Sequence, residues 1–189
     1  METSWALLAQ QISECVACPL CESCNQKVPG QGDPHAPLML IGEAPGEQED
    51  HQGLAFVGAA GQLLTKMLDS IHVPREHTYI CNTLKCRPPN NRAPMPEENA
   101  ACEPHLLAQW SLVQPKVVVL LGATAVRVVL GENYRITRCH GQWFERRGVP
   151  ILATYHPSAL LRDPAKKREA WEDLKQVRQL LTALTLYPE

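Results

Sequence analysis

Lys116–Ala125 reads K-V-V-V-L-L-G-A-T-A, and the stretch changes character halfway. Lys116–Leu121 is a short apolar run of strand length, Gly122 turns the chain, and Ala123–Leu130 resumes at helical spacing. The same order recurs elsewhere. Leu38–Ile41, Tyr79–Leu84 and Val149–Thr154 are further apolar runs ended by turn residues. Helical patterns lie between them. Gln62–Ile71 sets Leu63, Leu64, Met67, Leu68 and Ile71 on one face, and Glu97–Trp110 is a second such segment. Strands alternating with helices predict an α/β fold in three αβα layers around a central four-stranded parallel sheet. Asp163 as cap and Pro164 in the first turn announce a last helix, whose stripe Trp171, Leu174, Val177, Leu181 and Leu184 is expected to pack on the sheet.

The chain has 189 residues, enough for one domain with a real core, so residues 1–189 are expected to form a single unit. A net charge of -2 excludes a global positive field, and contact with nucleic acid must then be local. Met1–Gln11 lacks the basic start and long apolar run of a secretion signal. No stretch has the ~20 apolar residues of a membrane span. A soluble, cytoplasmic monomer is expected.

Open parallel sheets bind ligands where loops leave the carboxyl ends of the strands. The chemistry-bearing segments gather there. Gly42-Glu43-Ala44-Pro45-Gly46 follows the first run, Asn82 lies near the end of the second, Gly122 follows the third, and His156-Pro157-Ser158 follows the fourth. The first loop is a poor phosphate cradle, because it has too few glycines and no lysine or hydroxyl partner. Its acidic neighbours Glu43, Glu47, Glu49 and Asp50 suit general-base or water-positioning work instead. A neutral His156 suits donation to an oxygen that gains charge. Leu160 and Leu161, followed by Arg162, have the character of an apolar wedge entering a base stack. Phe56 offers a stacking face. Asn82 offers both an acceptor and a donor, the pattern that meets uracil N3–H and O4 and mismatches cytosine. Lys85, Arg87 and Arg92, with Arg162, Lys166, Lys167 and Arg168, flank the expected crevice as candidate phosphate contacts.

Eight cysteines without an export signal point to metal or redox chemistry. Cys15, Cys18, Cys21 and Cys24 share one spacing, and Cys86 and Cys102 lie far downstream. Spacing alone leaves zinc and a [4Fe–4S] cluster open. Cys81 and Cys139 read as buried hydrophobes.

In order, the motifs C-V-A-C-P-L, I-G-E-A-P-G-E-Q-E-D, F-V-G-A-A-G-Q-L-L, N-T-L-K-C-R-P-P-N-N-R, A-C-E-P, P-K-V-V-V-L-L-G-A-T-A and H-P-S-A-L-L-R resemble the family-4 uracil-DNA glycosylases, the iron–sulfur branch of their superfamily. The resemblance spans Cys15 to Val177. It implies a uracil-DNA glycosylase-like fold and excision of uracil from single- or double-stranded DNA, leaving an abasic site. It implies a structural [4Fe–4S] cluster on Cys15, Cys18, Cys86 and Cys102, with Cys21 and Cys24 as departures from the family pattern. Phe56 is then the stacking residue, Asn82 the reader of the pairing edge, Ala44 a backbone contact, His156 the partner of O2, and Glu49 the residue excluding thymine. Ala44 stands where some branches carry a water-positioning aspartate, which shifts that role to Glu43 or a backbone-held water. Two other readings compete. One is a relative that traps its product covalently, although Leu84–Met95 lacks that relative's inserted basic loop and its glutamine is replaced by Ala44. The other is a non-catalytic iron–sulfur DNA-binding module.

Overall fold

A computed structural model describes residues 4–187. In chain order the elements that matter are α1 (Trp5–Ser13), α2 (Leu20–Ser23), β1 (Gln31–Gly32), β2 (Leu38–Gly42), α3 (Glu47–Gln52), α4 (Ala59–Asp69), β3 (Thr78–Asn82), α5 (Pro96–Val113), β4 (Val117–Leu121), α6 (Ala123–Leu130), α7 (Ile136–Cys139), β5 (Trp143–Arg146), β6 (Val149–Thr154), α8 (Pro157–Arg162) and α9 (Lys167–Ala183). The four expected strands are all present, pair in parallel, and stand in the order β3-β2-β4-β6. The sheet is nevertheless mixed and six-stranded, because β1 and β5 add antiparallel edges.

Alternation along the strands explains the layers. Leu38, Leu40, Val117, Val119, Leu121 and Leu152 point to one face, where Leu64 and Leu68 of α4 and Leu174, Val177 and Leu181 of α9 cover them. Met39, Ile41, Val118, Leu120, Ile151 and Ala153 point to the other, under Leu106 and Trp110 of α5 and Val126 and Val129 of α6. Both faces are dry, which is why these strands read as unbroken apolar runs. The α9 stripe is narrower than expected. Trp171 and Leu184 are about half exposed: Leu184 lies past the end of α9, and Leu174, Val177 and Leu181 are the stripe residues that pack on the sheet. Among the described residues no helix is long and apolar enough to cross a membrane.

From β2 the chain steps to β3 on one side and then returns to β4 on the other. The loops leaving β2 and β4 therefore diverge at their carboxyl ends and open a crevice between them.

Candidate active site and cysteine corner

That crevice is a cleft of about 460 Å³. Glu43, Ala44, Glu49, Phe56, Asn82 and His156 all line it, as does Arg162. Sequence positions more than a hundred residues apart thus share one wall.

The β2 loop is held to the end of β3. Thr83 N–H donates to Gly42 O (2.9 Å), while Leu84 N–H (3.1 Å) and the Thr83 hydroxyl (2.7 Å) donate to Glu43 O. Gly42 is required here by close approach: a Cβ would stand 2.5 Å from both Asn82 Oδ1 and Phe56 Cζ. Asn82 is buried, and its Oδ1 has no hydrogen-bond donor among the described residues. A buried acceptor left unpaired costs about 1–3 kcal/mol, so this oxygen is poised for a donor brought by a ligand.

Phe56 sits at φ 52°, a left-handed conformation that bulky residues avoid. Opposite charges grip its loop from two sides. Arg75 donates to the carbonyls of Ala55 (3.0 Å), Phe56 (2.8 Å) and Gly61 (3.0 Å). Glu49 accepts from the amides of Gly46 (3.1 Å), Val57 (2.9 Å) and Gly58 (2.7 Å). The Phe56 and His156 rings are 5.6 Å apart, centre to centre, tilted by 32°.

His156 follows β6 at the N-cap of α8. The Ser158 amide donates to its Nδ1 at 3.1 Å, and Ser158 Oγ lies 2.8 Å from the same nitrogen. An amide cannot accept, so Nδ1 carries a lone pair and the proton resides on Nε2. His156 is half-buried and lines the cleft. Burial, with Arg162 nearby, lowers its pKa to about 4 and keeps it neutral. Gly122 permits this packing: at φ +90° it would set a Cβ 2.8 Å from His156 Cβ.

The acidic group divides by environment. Glu43 accepts a short hydrogen bond from the Thr124 hydroxyl at the start of α6. Asp50 is buried, and its Oδ1 accepts from the Asn25 amide (2.9 Å) while its Oδ2 accepts from the Asn25 side chain (2.5 Å). Asp50 is thus an anchor for the N-terminal segment, and Glu49 is a brace.

Two sequence expectations need correction. Leu160 is 1% exposed and packs in the core, so it is no wedge; Leu161, 46% exposed, is the available one. Lys85 is buried and donates to Asn82 O (2.5 Å), which removes it from the phosphate contacts. Arg92, Arg162 and Lys166 line the cleft. Arg75 had no signal because a lone arginine outside a motif carries none; Thr124 and Ser158 stand within motifs, but their partners Glu43 and His156 Nδ1 are set by the folded backbone, and only the Ser158 position, two residues after a histidine, hints at its contact.

A second cavity gathers Cys15, Cys18, Cys86 and Cys102, with Cys21 also on its wall. All the thiols are free, and burial raises the pKa of Cys18, Cys86 and Cys102. Among the described residues no three His, Cys, Asp or Glu side chains converge on a single-ion point. Leu20 and Leu84 close the corner, and Ala44 packs against it while also lining the cleft. The loop between Cys86 and Cys102 sends Pro88, Asn91 and Arg92 to the cleft, and a fork from Arg92 to Glu98 (2.9 and 2.6 Å) holds it.

Residues 29–175 match the family model for the uracil DNA glycosylase superfamily. The type-4 uracil-DNA glycosylase of Thermotoga maritima is 41% identical over 181 residues, covering 93% of each chain. That of Sulfurisphaera tokodaii is 40% identical, covering 92% of this chain and 83% of its own. That of Archaeoglobus fulgidus is 41% identical, covering 92% and 91%.

Proposed function

The chain belongs to the uracil DNA glycosylase superfamily, and from that premise we propose that it repairs DNA by hydrolysing the N-glycosidic bond of deoxyuridine, releasing uracil and leaving an abasic site. The observation that carries this reading is the orphaned, buried Oδ1 of Asn82 in the same cleft as the Nε2–H of His156. One is an acceptor awaiting a donor and the other a donor awaiting an acceptor. Uracil supplies N3–H to the first and O2 to the second.

A base inside a duplex cannot reach such a cleft, so the nucleotide turns out of the stack at a cost of a few kcal/mol. Leu161 fills the gap it leaves, and Arg162 and Lys166 meet the flanking phosphates. Phe56 stacks on the ring. Asn82 accepts from N3–H and donates to O4; cytosine reverses both and leaves them unpaired. Glu49 excludes thymine by fixing the loop along the C5 side. As the bond to the sugar stretches, negative charge gathers on O2 and the neutral His156 donates to it. Glu43, oriented by Thr124, holds the water that adds to the sugar and faces the positive charge developing there, while the backbone at Ala44 contacts the base.

Cys15, Cys18, Cys86 and Cys102 fit a [4Fe–4S] cluster as a set of free thiols around one cavity. When bound, such a group supplies a cross-link, tying the N-terminal segment and the Cys86–Cys102 loop to the sheet.

The test is incubation with an oligonucleotide bearing one uracil. Free uracil and an alkali-labile site are expected, and Asn82→Ala should slow release by about 10–100-fold, the loss of one or two buried partners. Absence of base release, or a protein–DNA adduct that survives denaturing electrophoresis, overturns the reading.

A further inference from the structure

Six cysteines stand where four suffice, and the surplus pair is not scattered. Cys21 lines the cavity of the four, whereas Cys24 packs against the cluster of Leu20, Leu84, Cys86 and Cys102 from outside it. Of the thiols around Cys86, Cys24 is the one that bears most on it, and the Cys24 thiol itself donates to Cys21 O at 3.9 Å. Cys24 is also fixed in place. It caps the C-terminus of α2, with its amide on Leu20 O (3.1 Å), and the next residue, Asn25, is tied to buried Asp50 through both backbone and side chain. A thiol held beside a ligand thiol by two anchors has one evident chemistry, which is to take that ligand's place.

We propose that Cys24 is an alternate ligand of the metal centre, exchanging with Cys86. The proposal rests on the [4Fe–4S] reading of the corner. The exchange balances without an oxidant: the Cys24 sulfur gives up its proton and bonds iron, the Cys86 sulfur releases iron and takes a proton, and charge and electron count are unchanged. Cys15, Cys18 and Cys102 remain bound throughout. The partner is Cys86 because it belongs to the group against which Cys24 packs and Cys24 is its foremost thiol neighbour, whereas Cys21 neighbours Cys18.

The experiment measures iron, acid-labile sulfide and visible absorption per folded chain, after anaerobic purification, in the wild type, Cys86→Ala, Cys24→Ser, Cys21→Ser/Cys86→Ala and Cys24→Ser/Cys86→Ala. Cys24→Ser alone and Cys86→Ala should stay within about twofold of wild type, while Cys24→Ser/Cys86→Ala should fall about tenfold or more. Cys21→Ser/Cys86→Ala should behave like Cys86→Ala. Loss of iron in Cys86→Ala equal to that in the Cys24/Cys86 double variant overturns the proposal, as does retention in that double variant. Should Cys86→Ala fail to fold, mass-spectrometric mapping of iodoacetamide on the wild-type holoprotein decides. Label divided between Cys24 and Cys86 supports exchange, and label on Cys24 with Cys86 fully protected refutes it. A wild type without iron and sulfide instead removes the cluster reading itself.

Discussion

The cleft and the cysteine corner are neighbours built on opposite plans. In the cleft each working side chain already has a partner that fixes it: Ser158 for His156, Thr124 for Glu43, and Arg75 and Glu49 for the loop that presents Phe56. Asn82 Oδ1 and the Nε2–H of His156 are left open for a ligand in that cleft. In the corner the buried thiols are held above their ordinary pKa by burial, among the apolar side chains of Leu20 and Leu84. One site is organised before its ligand arrives; the other, on the cluster reading proposed above, would be organised by what it binds. Preorganised donors and acceptors can act on a transition state without first rearranging, whereas thiolates around metal supply folding energy.

The sharpest way to break this contrast is His156→Ala. Loss of one donor to a developing anion should slow single-turnover uracil release by about 10²–10³-fold and leave iron content untouched. An unchanged rate, or a colourless variant, would mean that the two regions are not separable. A smaller effect is expected from Cys102→Ser, which should lose iron and raise KM about tenfold with a lesser change in kcat, because it frees the loop that brings Pro88, Asn91 and Arg92 to the cleft. A fall in kcat matching that of His156→Ala would place the metal corner inside the chemistry. Smallest is a shift in the pH profile. With His156 titrating near pH 4, activity should hold down to that pH and then fall as the imidazole is protonated. Arg162→Gln removes a positive charge that opposes protonation, so the acid limb should move to higher pH by a fraction of a unit; movement to lower pH would disprove the coupling. The same depressed pKa ties stability to pH. Stability from neutral His156 is complete above pH 6.5, its ordinary pKa, and is lost as pH falls through about 4.

What could be read in advance follows from where each residue's signal resides. The strands β2 and β4 were legible because continuous burial leaves continuous apolar sequence, and β6 because its buried part begins Ile151-Leu152-Ala153. Strand β5 was not, since Trp143–Arg146 forms an exposed edge and mixes aromatic with charged residues. Helix α3 was hidden for a similar reason: E-Q-E-D-H-Q has no apolar face, and its first turn is acidic because Glu49 and Asp50 look inward to bind backbone. Leu160 and Leu161 are identical in kind, and only the facing of α8 separates a core residue from a wedge. Lys85 shows the converse failure, a cation whose tertiary partner is a carbonyl three residues away. Asn82, Phe56 and His156 were legible as chemistry, but the Arg75 and Glu49 clamps that make them a site are hydrogen bonds to backbone groups of the loop between, which no pattern of side chains encodes.

The Ser158 amide has one more consequence, for small molecules that would plug the cleft. With Nδ1 saturated, His156 can offer only a proton and never a lone pair to anything seated against it. An effective plug must therefore present an electron-rich atom at that point and a proton toward Asn82, and heterocycles of reversed polarity will be turned away whatever their shape. The freed base meets the first demand better once it has lost its N1 proton, while keeping N3–H for Asn82, so product should linger longer in alkaline solution and turnover there should slow even while the chemical step does not.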